Sequence, residues 1–177
     1  MLHRFLKPDP ARDTAIKLHG AIAERARSPV FYARLGVPDT IDGRFDLLVL
    51  HVFFVMETLK TGGKRTEGLA THLATVTFEG FEDALRDLGV GDIGLSRRIK
   101  AMADAFYGRL ENYASSKNSA PLMAAALLRN LYRGDETRQD EASRMAEYAA
   151  AVLRGLAGAG PITTLQAGRA DFGPLPE

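Results

Sequence analysis

The 177-residue chain contains no cysteine and no tryptophan. Without cysteine it can form no disulfide, offers no thiolate nucleophile and cannot build a zinc finger or an iron–sulfur site from thiolates. Charge of one sign is not in excess either, because 23 Lys and Arg residues stand against 22 Asp and Glu residues. This balance excludes a chain-wide polyanion binder but not a local basic patch, and any aromatic surface must come from nine Phe and five Tyr residues.

Long hydrophobic runs are also lacking. The most apolar stretch, residues 45–56, is twelve residues long, whereas a helix needs about 20 apolar residues to span a bilayer. The first ten residues include Arg4 and Lys7 but no apolar core of a signal peptide, and a helical pattern begins by about Asp9. We therefore expect a cytoplasmic protein, with peripheral attachment to the inner face of the membrane as its one route to a bilayer.

Helix-start and helix-stop residues recur along the whole chain. A capping side chain precedes a proline at Asp9, Ser28 and Ser119. Gly36 and Gly89 are each followed by a valine, an order typical of a helix that ends in a Schellman motif. No segment alternates polar and apolar residues over the length of a strand. The pattern predicts a single all-α domain of about six or seven helices.

The apolar residues predict how this domain is organised. A helix over about residues 40–61 is apolar nearly all round, so we expect it at the centre of the domain. The helices are predicted to occupy residues 1–157. Residues 158–177 are rich in Gly and Pro, and we expect an extended tail there that docks through Leu165 and Phe172.

The sequence contains no motif typical of a metal, phosphate or cofactor site. None of the four histidines has a histidine or an acidic residue four positions away, and no HExxH pattern occurs. Residues 62–66 share a Gly-Lys pair with phosphate-binding loops, but Thr58 replaces the first glycine and Arg65 replaces the required Ser or Thr. We therefore predict an interhelix loop there, and no bound cofactor or metal.

The role of His51 has two possible interpretations. It lies on the apolar stripe of the central helix, beside Leu47 and Val55. In one interpretation it binds a ligand or handles a proton in a small enzyme. In the other it is a core histidine that is hydrogen-bonded inside the protein, which is the usual state of buried polar groups. The second interpretation is favoured, and an enzyme that uses His51 remains an alternative.

Basic residues form three local clusters. Positions 1–28 hold six basic residues against three acidic ones. Such clusters either keep helix faces soluble or contact RNA, the ribosome or an anionic membrane surface; we expect no binding to DNA. The clustered residues are Arg4, Lys7, Arg12, Lys17, Arg25 and Arg27, then Lys60, Lys64 and Arg65, and then Arg97, Arg98 and Lys100.

Three segments together resemble a known family. The first runs over residues 31–51 (FYARLGVPDTIDGRFDLLVLH), the second over residues 88–109 with LGVGDIG and KAMADAFYGR, and the third is LLRNLY at 127–132. Their order and spacing are similar to those of the ubiquinol–cytochrome c chaperone family, helical assembly factors of the cytochrome bc1 complex. The resemblance covers about residues 12–155, and the chain looks like a short bacterial-type member.

The resemblance implies a chaperone without catalytic residues or cofactors. Such a protein transiently binds a newly made apolar subunit such as cytochrome b, and mitochondrial members act with a small partner protein and associate with the ribosome. An RNA- or ribosome-binding adaptor is an alternative function, for which steep salt dependence of RNA binding is the discriminating observation.

A chaperone of this kind needs an accessible apolar surface. Two alternatives stay open for the apolar residues of the matching segments, which either fill the core or form a partly exposed groove. We expect some charged residues of these segments to pair and to hold the two Gly-Val turns together, and Asp39 or Thr40 to cap the central helix. The apolar residues are Phe31, Tyr32, Val37, Phe45, Phe106 and Tyr107, and the charged ones are Arg44, Asp46, Asp92 and Arg109.

Overall fold

The computed structural model describes residues 9–176, and all regular secondary structure in that range is helical. The all-α prediction is therefore confirmed. Eight α-helices are present among these residues, together with one 3₁₀ turn at Glu136–Arg138. The helices are α1 (Pro10–Ala26), α2 (Pro29–Ala33), α3 (Ile41–Thr61), α4 (Lys64–Asp87), α5 (Asp92–Ser116), α6 (Ala120–Asn130), α7 (Gln139–Gly155) and α8 (Ala159–Gln166).

Helix α3 lies at the centre of the fold, as its all-round apolar sequence predicts. Its side chains are buried almost without interruption from Asp46 to Val55, and it contacts α1, α4, α5, α7 and α8. The Thr40 side chain caps it by accepting a hydrogen bond from the Gly43 amide at 3.1 Å. None of the helices in residues 9–176 combines the length and the hydropathy needed to cross a bilayer.

Helix α1 packs along α4, and α6 packs along α7. The α1–α4 approach is close at Gly80, where a Cβ atom would lie 3.2 Å from the imidazole Cε1 of His19. One end of this pair is joined by Arg12, whose guanidinium contacts both carboxylate oxygens of Glu79 at 2.8 and 2.9 Å. Helices α1, α4 and α7 also contact α3, and Glu67, Thr71 and Thr75 of α4 remain exposed.

Both Gly-Val turns adopt the predicted left-handed conformation. Gly36 has φ +62° and Gly89 has φ +78°, values that a residue with a Cβ adopts only with strain. After Gly89, the Val90 amide donates to the Leu85 carbonyl at 3.0 Å, the hydrogen bond that defines a Schellman stop. After Gly36, the Val37 amide donates to the Phe31 carbonyl at 3.0 Å.

The C-terminal segment differs from the expected extended tail, because residues 159–166 form α8. Ile162 and Leu165, three positions apart, are both buried, and α8 contacts α3. Burial of this apolar face stabilises a helix that the Gly and Pro content alone does not predict. The predicted docking is confirmed, since Leu165 and Phe172 both lie in the core.

Candidate functional site

The aromatic residues of the family-like segments divide into two clusters. Phe31 belongs to the first, where its ring centroid lies 5.3 Å from that of His51 and 5.3 Å from that of Tyr148. Phe45, Phe106 and Tyr107 belong to the second, which α4 completes with Phe78 and Phe81. One continuous patch does not form.

Each of the two alternatives for these residues therefore holds for part of the set. Phe31, Val37 and Phe106 are core residues with exposures of 0%, 3% and 0%, so for these three the alternative of core filling holds. Tyr32 and Phe45 are half-buried. Tyr107 is 57% exposed, and it is the member of the set that solvent reaches most freely.

Tyr107 forms one wall of a groove between α4 and α5, which we call the α4–α5 groove. The groove is open to solvent and has a volume of about 640 Å³. Ala70, Ala74 and Phe78, spaced four residues apart on α4, make its floor, and Thr71 and Thr75 lie beside them. The small alanines let another chain approach the helix backbone closely, and the rings of Phe78 and Tyr107 offer apolar area. The groove therefore offers an apolar strip, with hydroxyl groups beside it, to an incoming segment.

Acidic side chains border this groove. Glu79 is paired with Arg12, and Glu82 lies 3.4 Å from the Arg86 guanidinium. The third carboxylate, Glu67, is exposed and makes no ion pair within residues 9–176. An apolar floor with an acidic border favours a segment whose apolar residues are flanked by Lys or Arg.

Behind the groove lies a buried carboxylate, Asp46. Its Oδ1 atom is 2.6 Å from the Arg109 Nε atom, and its Oδ2 atom is 3.1 Å from a terminal nitrogen of Arg133. The expected pairing among charged residues of the segments is thus present for Asp46 and Arg109. It joins α3 to α5 and to the segment after α6, whereas the expectation was that it would join the two turns.

The other two charged residues do not take part in this cluster. Arg44 pairs with Asp39 at 2.7 Å within the start of α3, and Asp92 is exposed at the first position of α5. Sequence reasoning missed Arg133, which has φ +59° and precedes Gly134. The Arg-Gly pair, which begins three residues after the end of α6, is a turn signal, but nothing local indicates that its guanidinium reaches α3.

Burial raises the pKa of Asp46 from 3.8 to about 6, although Arg109 and Arg133 pull it down. The Arg109 guanidinium also lies 5.3 Å from the centroid of the Phe45 ring, in a cation–π contact. Arg109 is two residues from Tyr107, so the cluster sets where the α5 wall of the groove stands relative to α3.

His51 is sealed in the core and bonded at both ring nitrogens. Its Nδ1 atom lies 2.8 Å from the Leu47 carbonyl and its Nε2 atom 2.8 Å from the Tyr148 hydroxyl. A carbonyl only accepts, so Nδ1 carries the proton and Nε2 accepts from Tyr148. Burial lowers the pKa of His51 to about 4, the Leu47 bond raises it, and Arg25 lowers it. This geometry agrees with the favoured interpretation of His51 as a core histidine.

The Tyr148 hydroxyl also links His51 to Arg25, and Arg25 binds the C-terminal segment. The Arg25 Nε atom donates to the Tyr148 hydroxyl at 3.0 Å, and its Nη2 atom donates to the Pro174 carbonyl at 2.7 Å. The Phe172 ring lies 5.3 Å from the His51 ring. No group of three or more His, Asp or Glu residues in the described range could hold a metal ion.

Replacing Tyr148 by phenylalanine is expected to lower the free energy of unfolding by about 2 kcal/mol, because His51 Nε2 would then be a buried acceptor without a donor. Urea denaturation measures this loss. The control is Tyr107→Phe, which removes an exposed hydroxyl and should leave stability unchanged. Equal midpoints for the two variants would show that the network adds no net stability.

Some residues of the three basic clusters form contacts within the protein. Arg12 pairs with Glu79, and Lys60 pairs with Glu57. Arg25 donates a hydrogen bond to the Pro174 carbonyl of the C-terminal segment. Arg4 and Lys7 lie outside the described residues. The remaining basic residues of the clusters are exposed, namely Lys17, Arg27, Lys64, Arg65, Arg97, Arg98 and Lys100.

Comparison with known proteins finds similarity to one family. A family model described as "Ubiquinol-cytochrome C chaperone" matches residues 33–170. The chain is 25% identical over 118 residues to ubiquinol-cytochrome-c reductase complex assembly factor 1 of Xenopus laevis. This match covers 66% of the chain and 59% of the frog protein. The assembly factor 1 of Mus musculus is 24% identical over 119 residues, covering 67% of the chain and 40% of the mouse protein.

The chain thus spans well under two thirds of the length of these two curated relatives. A solved structure matches it more completely. The crystal structure of the Cbp3 homolog from Brucella abortus superposes with a TM-score of 0.79 and 31% sequence identity, and the match covers 91% of the chain and 89% of that structure. The shared architecture therefore includes nearly all of the helices described above.

Proposed function

The chain belongs to the ubiquinol–cytochrome c chaperone family, and from that premise we propose that it is an assembly factor of the cytochrome bc1 complex. In this role it binds a newly made apolar subunit, such as a cytochrome b-like protein, until assembly proceeds. It acts on the cytoplasmic side of the membrane and performs no catalysis. The names of the curated relatives, both assembly factors of ubiquinol–cytochrome c reductase, support the proposal.

The observation that carries the proposal is the α4–α5 groove. It combines an apolar floor with the 57% exposed ring of Tyr107. A solvent-exposed aromatic beside a concave apolar surface is typical of a site that another polypeptide covers. In this chain the ring is held in place by its neighbour Phe106, whose centroid is 5.2 Å away and which is itself buried.

The charges around the groove agree with a membrane-protein client. Segments on the cytoplasmic side of spanning helices are enriched in Lys and Arg. A client of this type presents an apolar stretch next to basic residues, which the floor and the border of the groove complement. Because the groove is small and open, binding should be weak and reversible, as release of a client to its complex requires.

His51 gives no support to the alternative of a small enzyme. Both of its ring nitrogens are engaged inside the protein and its side chain has no exposed surface. A catalytic base or ligand must reach its substrate within hydrogen-bond distance. We propose that His51 serves the core and the C-terminal segment.

The proposal is tested by deleting the gene and measuring the assembled cytochrome bc1 complex. Deletion is expected to lower the amount of complex severalfold. Re-expression of the wild-type protein or of Leu122→Asp should restore it, whereas Tyr107→Asp should not, because a charge in the groove opposes an apolar client. Leu122 is a matched control, since it is also 57% exposed but lies on α6.

Two results would contradict the proposal at different points. A normal level of the complex in the deletion strain would refute the assembly role. Full restoration by Tyr107→Asp would refute the groove as the client site. Thermal melting of the purified variants is the check that both fold, which separates loss of client binding from unfolding.

A further inference from the structure

Every charged side chain that lines the α4–α5 groove is acidic. Two of the three carboxylates have partners of their own, since Glu79 pairs with Arg12 and Glu82 pairs with Arg86. Glu67, near the opposite end of the groove, is exposed and forms no ion pair within residues 9–176. The groove therefore keeps an uncompensated negative charge beside its apolar floor.

Helix α5 adds two further carboxylates beside the Tyr107 wall. Asp104 precedes Tyr107 by three residues and Glu111 follows it by four, so the three residues share one face of α5. Both carboxylates are exposed, and neither forms an ion pair with any residue that the structure describes. The rings of Tyr107 and Phe78, with centroids 6.2 Å apart, place this face of α5 alongside the groove floor.

The basic residues that lie closest along these two helices leave the carboxylates free. Lys64 comes three residues before Glu67, and Lys100 comes four residues before Asp104. Each lysine thus lies about one helical turn farther from the ring contact than the carboxylate does, and neither forms an ion pair in the described part of the chain. Arg65 is two residues before Glu67 and so projects from a different face of α4.

An apolar groove bordered by unpaired carboxylates fits a partner that is both apolar and basic. Helices of membrane proteins meet this description where they end on the cytoplasmic side, because Lys and Arg are enriched there. Ala70 and Ala74, one helical turn apart on the floor, let the backbone of such a helix approach α4 closely. Nucleic acids and anionic lipid headgroups carry charge of the same sign as the border, so the groove disfavours both.

We propose that Glu67, Asp104 and Glu111 make the α4–α5 groove selective for apolar helices that carry Lys or Arg next to the apolar stretch. This inference rests on the proposed function, and it names the residues by which the groove distinguishes a client from other apolar segments. The basic groups of the client pair with the three carboxylates while its apolar side chains contact Phe78 and Tyr107. A helix with acidic flanks is repelled by the same carboxylates.

Fluorescence anisotropy with three labelled peptides tests this selectivity. The peptides share one amphipathic helical core and differ only in the residues at both ends, which are Lys, Ser or Asp. At low salt the purified full-length protein is expected to bind the Lys-flanked peptide about tenfold more tightly than the Ser-flanked one, because three exposed pairs add their small contributions. The Asp-flanked peptide should bind most weakly, and high salt should reduce all of these differences.

Two variants separate the charges from the groove itself. The triple variant Glu67→Gln/Asp104→Asn/Glu111→Gln removes the three charges at nearly constant side-chain size, so it should bind all three peptides with similar affinity. Tyr107→Ala removes the exposed ring without changing the charge, so it should weaken the binding of every peptide by a similar factor and keep their order.

The matched control is Glu136→Gln/Asp140→Asn/Glu147→Gln, which makes the same change on exposed residues at the start of α7 and along it, and it should keep the wild-type preference. Equal affinity of the wild type for the three peptides, or an equal loss of preference in this control, would overturn the selectivity while the groove remained the client site. Binding that Tyr107→Ala leaves unchanged, or no binding of any peptide, would refute the groove as well. The deletion experiment uses no peptide, so the assembly role is tested separately.

Discussion

Replacing Asp46 by alanine is expected to lower the free energy of unfolding at pH 4 by about 3 kcal/mol, because the buried guanidinium of Arg109 would lose the oxygen that accepts from it. The Arg109 side chain is only 14% exposed, and its Nε atom lies 2.6 Å from the Asp46 carboxylate. Removing the carboxylate also releases Arg133 from α3. Urea denaturation of the purified variant measures the loss.

Asp42 offers a matched control one helical turn away. It also lies beside Arg133, at 3.3 Å, but its side chain is 76% exposed. Exposed ion pairs contribute little, so Asp42→Ala should cost less than about 1 kcal/mol. Similar losses in the two variants would show that the buried position of Asp46 has no special importance. A selective loss for Asp46→Ala would confirm that this carboxylate fixes α5 against α3.

Two buried groups are expected to give the protein opposite pH dependences. The pKa of Asp46 is raised from 3.8 to about 6 by burial, so the stability that it contributes is full below about pH 4 and is lost as the pH rises through 6. The pKa of His51 is lowered from 6.5 to about 4 by burial. Its contribution is therefore full above pH 6.5 and is lost as the pH falls through 4.

Each contribution amounts to about 3 kcal/mol, at about 1.4 kcal/mol for each unit by which the folded pKa differs from the unfolded one. Between pH 4 and pH 6.5 they nearly cancel in the wild-type protein. Single variants separate them. Relative to wild type, Asp46→Asn should lose stability as the pH is lowered, since only His51 then titrates. His51→Gln should lose stability as the pH is raised, since only Asp46 then titrates.

The measurement is the difference in the free energy of unfolding between each variant and the wild type across this pH range. Taking differences removes the contribution of the surface carboxylates to the pH dependence, because these groups titrate alike in the wild type and the variants. The double variant is expected to give the same pH dependence as the wild type. Flat difference curves for both single variants would mean that burial shifts the pKa of neither group.

The predictable part of the fold follows from signals within a few residues. Thr40 at the start of α3 and Ser119 at the start of α6 accept the hydrogen bonds expected of caps. Gly36 and Gly89 adopt the left-handed conformation that a glycine before a valine indicates. The all-round apolar pattern of α3 predicts its central position. Each of these features depends on the intrinsic conformational preferences of short segments.

The candidate surfaces were much less predictable. Six apolar residues of the matching segments are candidates for one patch, yet Phe31 and Phe106 fill separate parts of the core and Tyr107 reaches solvent. The periodicity of a helix shows which residues share a face, but not which other helix covers that face. The floor of the α4–α5 groove consists of alanines that carry no sequence signal of their own.

The amino-acid sequence alone predicts the helical class, the main helix ends and the central position of α3, because local propensity and hydrophobic period act over neighbouring residues, and its motifs carry the family resemblance. Packing of the whole domain makes residues 159–166 helical and brings Arg133 to the buried Asp46. These features join residues far apart in the chain, and their energies arise from burial and Coulomb attraction, which exist only once the helices have packed.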